Sequence, residues 1–240
     1  MKIQYVTVQD VILPIFLGNT NGGNFVYDSI AGTAFLIGKS GIGLTAAHVI
    51  DQIASSKQEA VIGFNDGGKW LPLHIHESEK HDVEDVAAFR CDPVKTSSWL
   101  TIEEGPAVAS DNYSAWGYPQ DVAKLPEKYE EHKLQRPELI YTRGYIRRRI
   151  SRELPVAFLR GKSFYEMSEL AGHSYSGAPI IRERGPINRA PWKVIGIYVG
   201  EHRGEFQASY AVRSDSFHNW SPKILGRTLR EESLDLDKPS

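Results

Sequence analysis

The chain has one cysteine, Cys91, in 240 residues. No intramolecular disulfide can form, so the fold must be held by packing and hydrogen bonds alone. A lone thiol in the run VAAFRC (86–91) reads as a small strand residue rather than a nucleophile. A charge of one sign is also lacking. The 28 basic side chains nearly balance 30 acidic ones, for a net charge of −2. That removes the basic face that would grip a phosphate backbone, so nucleic acid is not an expected partner. Long apolar runs are missing too. The longest near the start, VILPIFL (11–17), is too short to span a bilayer and contains Pro14. Acidic Asp10 precedes it and no small-residue cleavage site follows, so it makes a poor secretory signal. These features favour a cytoplasmic protein with no membrane partner.

Short apolar segments bounded by turn residues are abundant, and 21 glycines and 13 prolines supply the corners. GTAFLI (32–37) and IGLT (42–45) flank a GKSG turn. Further strands are expected near 60–64, 70–76, 86–91, 113–118, 139–150, 156–159, 178–181, 194–199 and 208–212. A helical turn is expected after His48, and a terminal helix within 215–230. The pattern predicts an all-β chain of sandwiched or barrelled sheets. Residues 1–98 and 112–230 form its two halves, 99–111 the linker and 231–240 a frayed polar tail. The charged, proline-punctuated stretch 119–137 reads as an exposed loop.

Three local patterns carry chemistry. TAAHV places His48 after a strand among small residues. DVAAF places Asp85 at the head of an apolar strand, where it can be desolvated. SYSGAP places Ser176 before Gly177, Ala178 and Pro179. Acyl transfer by serine requires a base for the hydroxyl proton, an acid to orient that base, and N–H donors for the oxyanion. The required side chains occur in the order His, Asp, Ser, separated by 37 and 91 residues.

With these motifs in this order, the sequence resembles the trypsin-like serine peptidases of the chymotrypsin fold, in particular bacterial members without disulfides. The resemblance also takes in WGYP (116–119) and VIGIYVG (194–200), and covers about residues 30–215. It implies two six-stranded antiparallel barrels, a short C-terminal helix and no cofactor or metal. It further implies Ser176 as nucleophile, His48 as general base and acid, and Asp85 as the group that orients His48. The oxyanion donors would be the backbone N–H groups of Ser174 and Ser176. Leu170, His173, Tyr198, Val199 and Gly200 would bind substrate, with 198–200 as an edge strand for a protein or peptide. Leu170 falls where trypsin selects basic residues, which favours an apolar or small residue before the scissile bond.

Two departures stand out. Ser174 replaces the family's usual glycine, so its N–H can serve only if the backbone permits. Tyr175 replaces the aspartate of zymogen-activated members, which argues against activation by a freed N-terminus and points instead to a regulatory protein partner, a ligand or loop ordering.

Other readings of the same residues lead elsewhere. Gly172-His173-Ser174 could open the nucleophile elbow of an α/β-hydrolase, with Ser174 attacking and Asp215 and His218 in support. A peptide-binding pseudoprotease would keep the barrels without turnover. His74, His76 and His81 could suggest a metal, although alternation on a surface strand explains the first two. Arg147–Arg149 reads as a solvated strand edge able to meet an acidic partner.

Overall fold

A computed structural model describes residues 10–38, 40–66, 69–93, 99–120, 137–157, 159–183, 192–203 and 207–234. The first half folds into a closed antiparallel barrel. Its strands are β1 (Ile12–Asn21), β2 (Asn24–Ile37), β3 (Ile42–Thr45), β4 (Glu59–Asp66), β5 (Lys69–Lys80) and β6 (Ala87–Cys91), in the order β1-β2-β3-β6-β5-β4. The apolar run at 11–17 forms most of β1 and is buried throughout. It lacks the alternation of a half-exposed strand because the barrel interior and the second half cover its two faces. That absence of alternation explains why β1 is not among the expected strands; the first half of β2, where exposed Val26 and Asp28 flank buried Tyr27, is missed as well. A two-residue turn at Gly22-Gly23, with φ of +59° and +85°, joins them.

The second half contains β8 (Asn112–Gly117), β9 (Ile140–Ser151), β10 (Ser163–Met167), β11 (Pro179–Arg182), β12 (Lys193–Arg203) and β13 (Gln207–Arg213). They run β11-β8-β9-β10-β13-β12, and β11 also pairs with β12, so the six strands return on themselves. Outside this ring, β7 (Thr101–Ile102) lies parallel to β12. The expected linker therefore contributes a strand. The strand expected at 156–159 is displaced to β10, where Phe164, Tyr165 and Met167 are buried and Ser163 and Glu166 half-buried. The expected loop at 119–137 lies largely outside the described residues.

Among the described residues two α-helices complete the fold: α1 (Ala47–Ser55), directly after β3, and α2 (Leu229–Ser233). The terminal helix thus begins near the end of the expected interval and takes in the first residues of the expected tail. Thr228 and Glu231 form a capping box at its start. Fully buried Glu232 binds Arg227 and the Ser40 hydroxyl. Trp99 Nε1 donates to the Ser233 carbonyl at 2.9 Å, so α2 is packed against the inter-barrel connection. No described helix is long and apolar enough to cross a membrane.

One apolar core runs through the first barrel and into the second, and a smaller one around Tyr113, Tyr165, Tyr175 and Tyr198 fills the rest of the second. Polar contacts join the halves at Thr33, in the middle of β2. Its N–H donates to the Ser176 carbonyl (2.8 Å), its hydroxyl accepts the Tyr118 N–H (2.9 Å), and its carbonyl accepts the Thr45 hydroxyl (2.8 Å). A single buried residue thereby ties together the approach to His48, the start of the 118–120 segment and the turn bearing Ser176.

Candidate active site

His48 is the second residue of α1. The N-cap, Ala46, offers no side-chain acceptor, so the first-turn N–H groups of the helix need partners from elsewhere. Asp85, 1% exposed, supplies one. Its Oδ1 accepts the backbone N–H of His48 at 2.9 Å, and its Oδ2 accepts Nδ1–H of the same imidazole at 2.7 Å. A negative charge at the start of a helix is itself favourable. The carboxylate fixes both the position and the tautomer of the ring, leaving Nε2 with a free lone pair. The His48 side chain is 39% exposed, facing a cleft of about 670 Å³ between the barrels.

Ser176 lines the same cleft, together with Gly172, His173, Ser174, Tyr198, Val199, Gly200, Glu201 and Arg203. Glycine follows Ser176 because the chain passes very close to β2 there. A Cβ on Gly177, whose φ is +89°, would lie 2.0 Å from the Thr33 carbonyl oxygen. Ser174 has φ +65°, in the left-handed region that glycine would occupy at least cost. Its hydroxyl donates to the Ile30 carbonyl of β2 at 3.0 Å, which stabilises that backbone conformation. One residue earlier, the His173 carbonyl accepts the Gln120 N–H at 2.9 Å. Because a trans peptide directs its C=O and N–H to opposite sides, this contact turns the Ser174 N–H away from Gln120. Among the described residues neither the Ser174 nor the Ser176 N–H meets an internal acceptor.

The structure brings His48, His173, Ser174, Ser176, Tyr198, Val199 and Gly200 to one cleft, with Asp85 directly behind His48. Leu170 is not in that lining; it is half-buried outside it. Positive φ at Gly172 (+93°) bends the segment, and the N–H groups of Ala171 and Gly172 turn to the Glu201 carboxylate. Tyr198 reaches the cleft, but its backbone is already committed. Its N–H donates to Ala178 (2.9 Å) and its carbonyl accepts from Gly177 (2.8 Å). A bulge in the β12–β13 pairing between Tyr198 and Gly200 leaves Val199-Gly200 as the part of the edge that faces the cleft. The Tyr198 ring stacks edge-on against Tyr175 at 5.3 Å. Thr33, Ile30, Gln120 and Glu201 hold this site together, and none carries a sequence signature for that task.

The competing arrangements come apart. The Ser174 hydroxyl is buried and bound to Ile30, Asp215 pairs with Arg213 in two contacts of 2.9 Å, and His218 Nδ1 faces the Ser214 carbonyl. These do not form an elbow triad, and antiparallel barrels exclude the α/β-hydrolase fold. His74 and His76 pair separately with Glu59 and Asp92, while His81 Nδ1 accepts the N–H groups of Val83 and Glu84. Among the described residues no group of three His, Cys, Asp or Glu is arranged to hold a metal. Burial pushes the Cys91 thiol up to about 11, so it stays protonated near neutrality.

A family model of the trypsin-like peptidase domain matches residues 32–197. No curated protein matches the sequence. Among solved structures, the chain is similar to the active form of the Rv3671c protease from M. tuberculosis, with 16% identity and a TM-score of 0.57, covering 85% of this chain and 76% of that one. It is also similar to the MamO protease domain from Magnetospirillum magneticum (13% identity, TM-score 0.56, 88% and 96% covered). A third is the HtrA-type protease AlgW with a tripeptide (15% identity, TM-score 0.59, 85% and 56% covered). At such identities the structures speak to the fold alone. With the family model spanning more than half of the chain, the protein belongs to the trypsin-like peptidases, serine-protease hydrolases of the chymotrypsin fold.

Proposed function

We propose that the protein is a serine endopeptidase working through Ser176, His48 and Asp85. The observation that carries this reading is the two-point grip of buried Asp85 on His48, in the cleft that Ser176 also lines. Ser176 Oγ adds to the scissile carbonyl as its proton passes to His48 Nε2, while Asp85 stabilises the imidazolium without taking the proton. The tetrahedral oxyanion accepts the N–H groups of Ser174 and Ser176, both without internal acceptors among the described residues. Collapse breaks the C–N bond, and the departing amine takes the proton from His48. Water then attacks the acyl ester, with His48 as base again, releasing the acid and regenerating Ser176.

The substrate lies as an added strand along Val199-Gly200, with His173 on the opposite wall. A peptide occupant is in keeping with AlgW, whose structures hold a tripeptide and a decapeptide. We further propose a cytoplasmic location and a regulatory or defence role restrained by a protein partner; with Leu170 outside the cleft, the basis for expecting an apolar or small residue before the scissile bond falls away. The left-handed Ser174, with its N–H clear of internal acceptors, favours turnover over a pseudoprotease. Labelling with a fluorophosphonate probe tests the core of the reading. Adduct should form on Ser176 and vanish in Ser176→Ala and His48→Ala, both still folded and both without peptidase activity. Undiminished peptide cleavage by purified Ser176→Ala would overturn it.

A further inference from the structure

The segment 171–176 has no regular secondary structure, yet it must present two N–H groups at fixed positions. It contains two left-handed residues, Gly172 (φ +93°) and Ser174 (φ +65°). A stretch of this kind stays in one conformation only when its surroundings over-determine it. Two of its anchors are backbone groups, the Gln120 N–H on His173 and the Ile30 carbonyl on Ser174. Thr33 holds the Ser176 carbonyl at the far end of the segment, and its start, Ala171-Gly172, is anchored by the side chain of Glu201, on β12 immediately after the cleft edge Val199-Gly200.

Glu201 reaches from β12 to the opposite wall. Its Oε2 accepts the N–H of Ala171 (3.1 Å), the N–H of Gly172 (3.2 Å) and the Tyr198 hydroxyl (3.0 Å). Its Oε1 accepts Arg203 Nε at 2.5 Å. Three donors thus converge on Oε2 and one on Oε1. The side chain is 12% exposed, whereas that of Arg203 is 63% exposed. Only the Arg203 contact is a surface ion pair, which contributes little. The contacts to the two amides and to Tyr198 are charge-assisted and sheltered from water. Burial would raise the carboxyl pKa, but the Gly172 amide, Arg203 and Tyr198 outweigh it and hold the group below its ordinary value. Glu201 is therefore ionised near neutrality.

We propose that Glu201 is a positioning residue for the oxyanion donors: its carboxylate braces the 171–174 segment against β12 and so fixes the Ser174 N–H for catalysis. This rests on the reading of Ser174 and Ser176 as oxyanion donors. The brace is indirect, since Glu201 touches neither nucleophile nor base. It also links the strand that receives the substrate to the turn that stabilises the transition state. Loss of the brace should therefore lower kcat while leaving substrate binding largely intact.

The test compares the intact protein with Glu201→Gln, Glu201→Ala and Ser176→Ala, by steady-state cleavage of a peptide library and by amide hydrogen exchange over 170–177. Glu201→Ala should lose kcat by about 10²-fold, the effect of a lost oxyanion donor, with KM changed less than about threefold. Exchange over 170–177 should rise about tenfold or more while the barrel strands keep their protection. Glu201→Gln, whose amide oxygen still accepts one N–H, should recover about tenfold of the lost kcat. Unchanged kcat, unchanged exchange over 170–177, or altered residue preference with kcat retained would each overturn the proposal. If Glu201→Ala does not fold, the same readouts on Glu201→Gln decide. Turnover persisting in Ser176→Ala would instead defeat the underlying catalytic reading, and the exchange measurement would still judge the brace.

Discussion

The two barrels contribute to the cleft in different ways. In the first, the acid–base pair is made within one barrel, although the 81–84 loop before Asp85 also accepts hydrogen bonds from Arg160, Lys162 and Ser163 of the second half. Asp85 and His48 are 37 residues apart, both belong to that barrel, and one carboxylate both satisfies the helix start and orients the ring. In the second, the Ser176 turn depends on distant segments. Its hydrogen bonds run to Ile30 and Thr33 on β2, to Gln120 beyond β8 and to Glu201 on β12, up to 144 residues away in sequence. The contact that orients the proposed base thus lies within one barrel, whereas the turn that supplies the proposed nucleophile takes two of its anchors, Ile30 and Thr33, from the other. Changes in the first barrel should damage the chemistry with little spread. Changes in the turn should report on the contact between barrels.

Asp85→Asn tests the pair within the first barrel most severely. The amide oxygen can still accept the His48 backbone N–H, so α1 should remain in place. The amide nitrogen would donate to Nδ1, forcing the proton to Nε2, where it blocks proton uptake from Ser176. A fall in kcat of about 10⁴-fold is expected, with thermal unfolding shifted only slightly, measured by peptide cleavage and by circular dichroism. A loss of less than tenfold would mean that His48 does not depend on Asp85.

A smaller effect is expected at Ser174, where the turn leans on β2. Ser174→Ala keeps the cost of a Cβ at φ +65° and loses the hydroxyl bond to Ile30, which should destabilise the fold by about 1 kcal/mol. Ser174→Gly loses the same bond but relieves left-handed strain of about 1 kcal/mol, so its stability should stay close to that of the parent. Both should lower kcat by roughly tenfold, the equivalent of about 1.4 kcal/mol of transition-state stabilisation. Equal stability of the two variants would show that Ser174 carries no strain, and the dependence on β2 would be correspondingly weaker.

The same contrast explains what is legible in the sequence. His48, Asp85 and Ser176 sit in short motifs whose neighbours are fixed by local needs, such as the small residues packed around His48 and the Gly177 that lets the turn pass under Thr33. Those constraints act within a few residues and leave a visible pattern. Glu201 and Gln120 act within the second barrel and Ile30 across the interface, at long sequence separation and through a single carboxylate, one amide and one carbonyl, and any sequence provides many of each. Counting along the chain puts Leu170 in the cleft, whereas the lining from this segment begins at Gly172, where positive φ at Gly172 and Ser174 bends the chain in a way that spacing alone does not reveal. Strand β1 escapes recognition because burial on both faces erases alternation. At Glu232 the acidic composition of the tail misleads: Arg227 and Ser40 neutralise and cover it.

The smallest predicted effect concerns the loop that leads into Asp85, where the first barrel does meet the second, through Arg160 and Trp220. His81 lies against Trp220 at 5.3 Å between ring centres, and its Nδ1 accepts the N–H groups of Val83 and Glu84. Burial lowers its pKa; Glu84 and Asp82 pull the other way and Arg160 adds to the lowering, with a net value below the ordinary 6.5. The folded protein therefore holds the neutral ring, which can accept those two N–H bonds, more firmly than the unfolded chain does. Between the folded and unfolded pKa values the unfolded chain binds more protons, so stability must rise with pH across that window. The contribution is fully present above about 6.5, the ordinary histidine value. It declines as pH falls below that value and levels off beneath the folded pKa. Urea midpoints taken from about pH 8 to about pH 5 should show this decline in the parent and a flatter profile in His81→Asn, whose side-chain oxygen can accept the same N–H groups without titrating. An unchanged slope in the variant would assign the decline to other groups and would leave the approach to Asp85 indifferent to the state of His81.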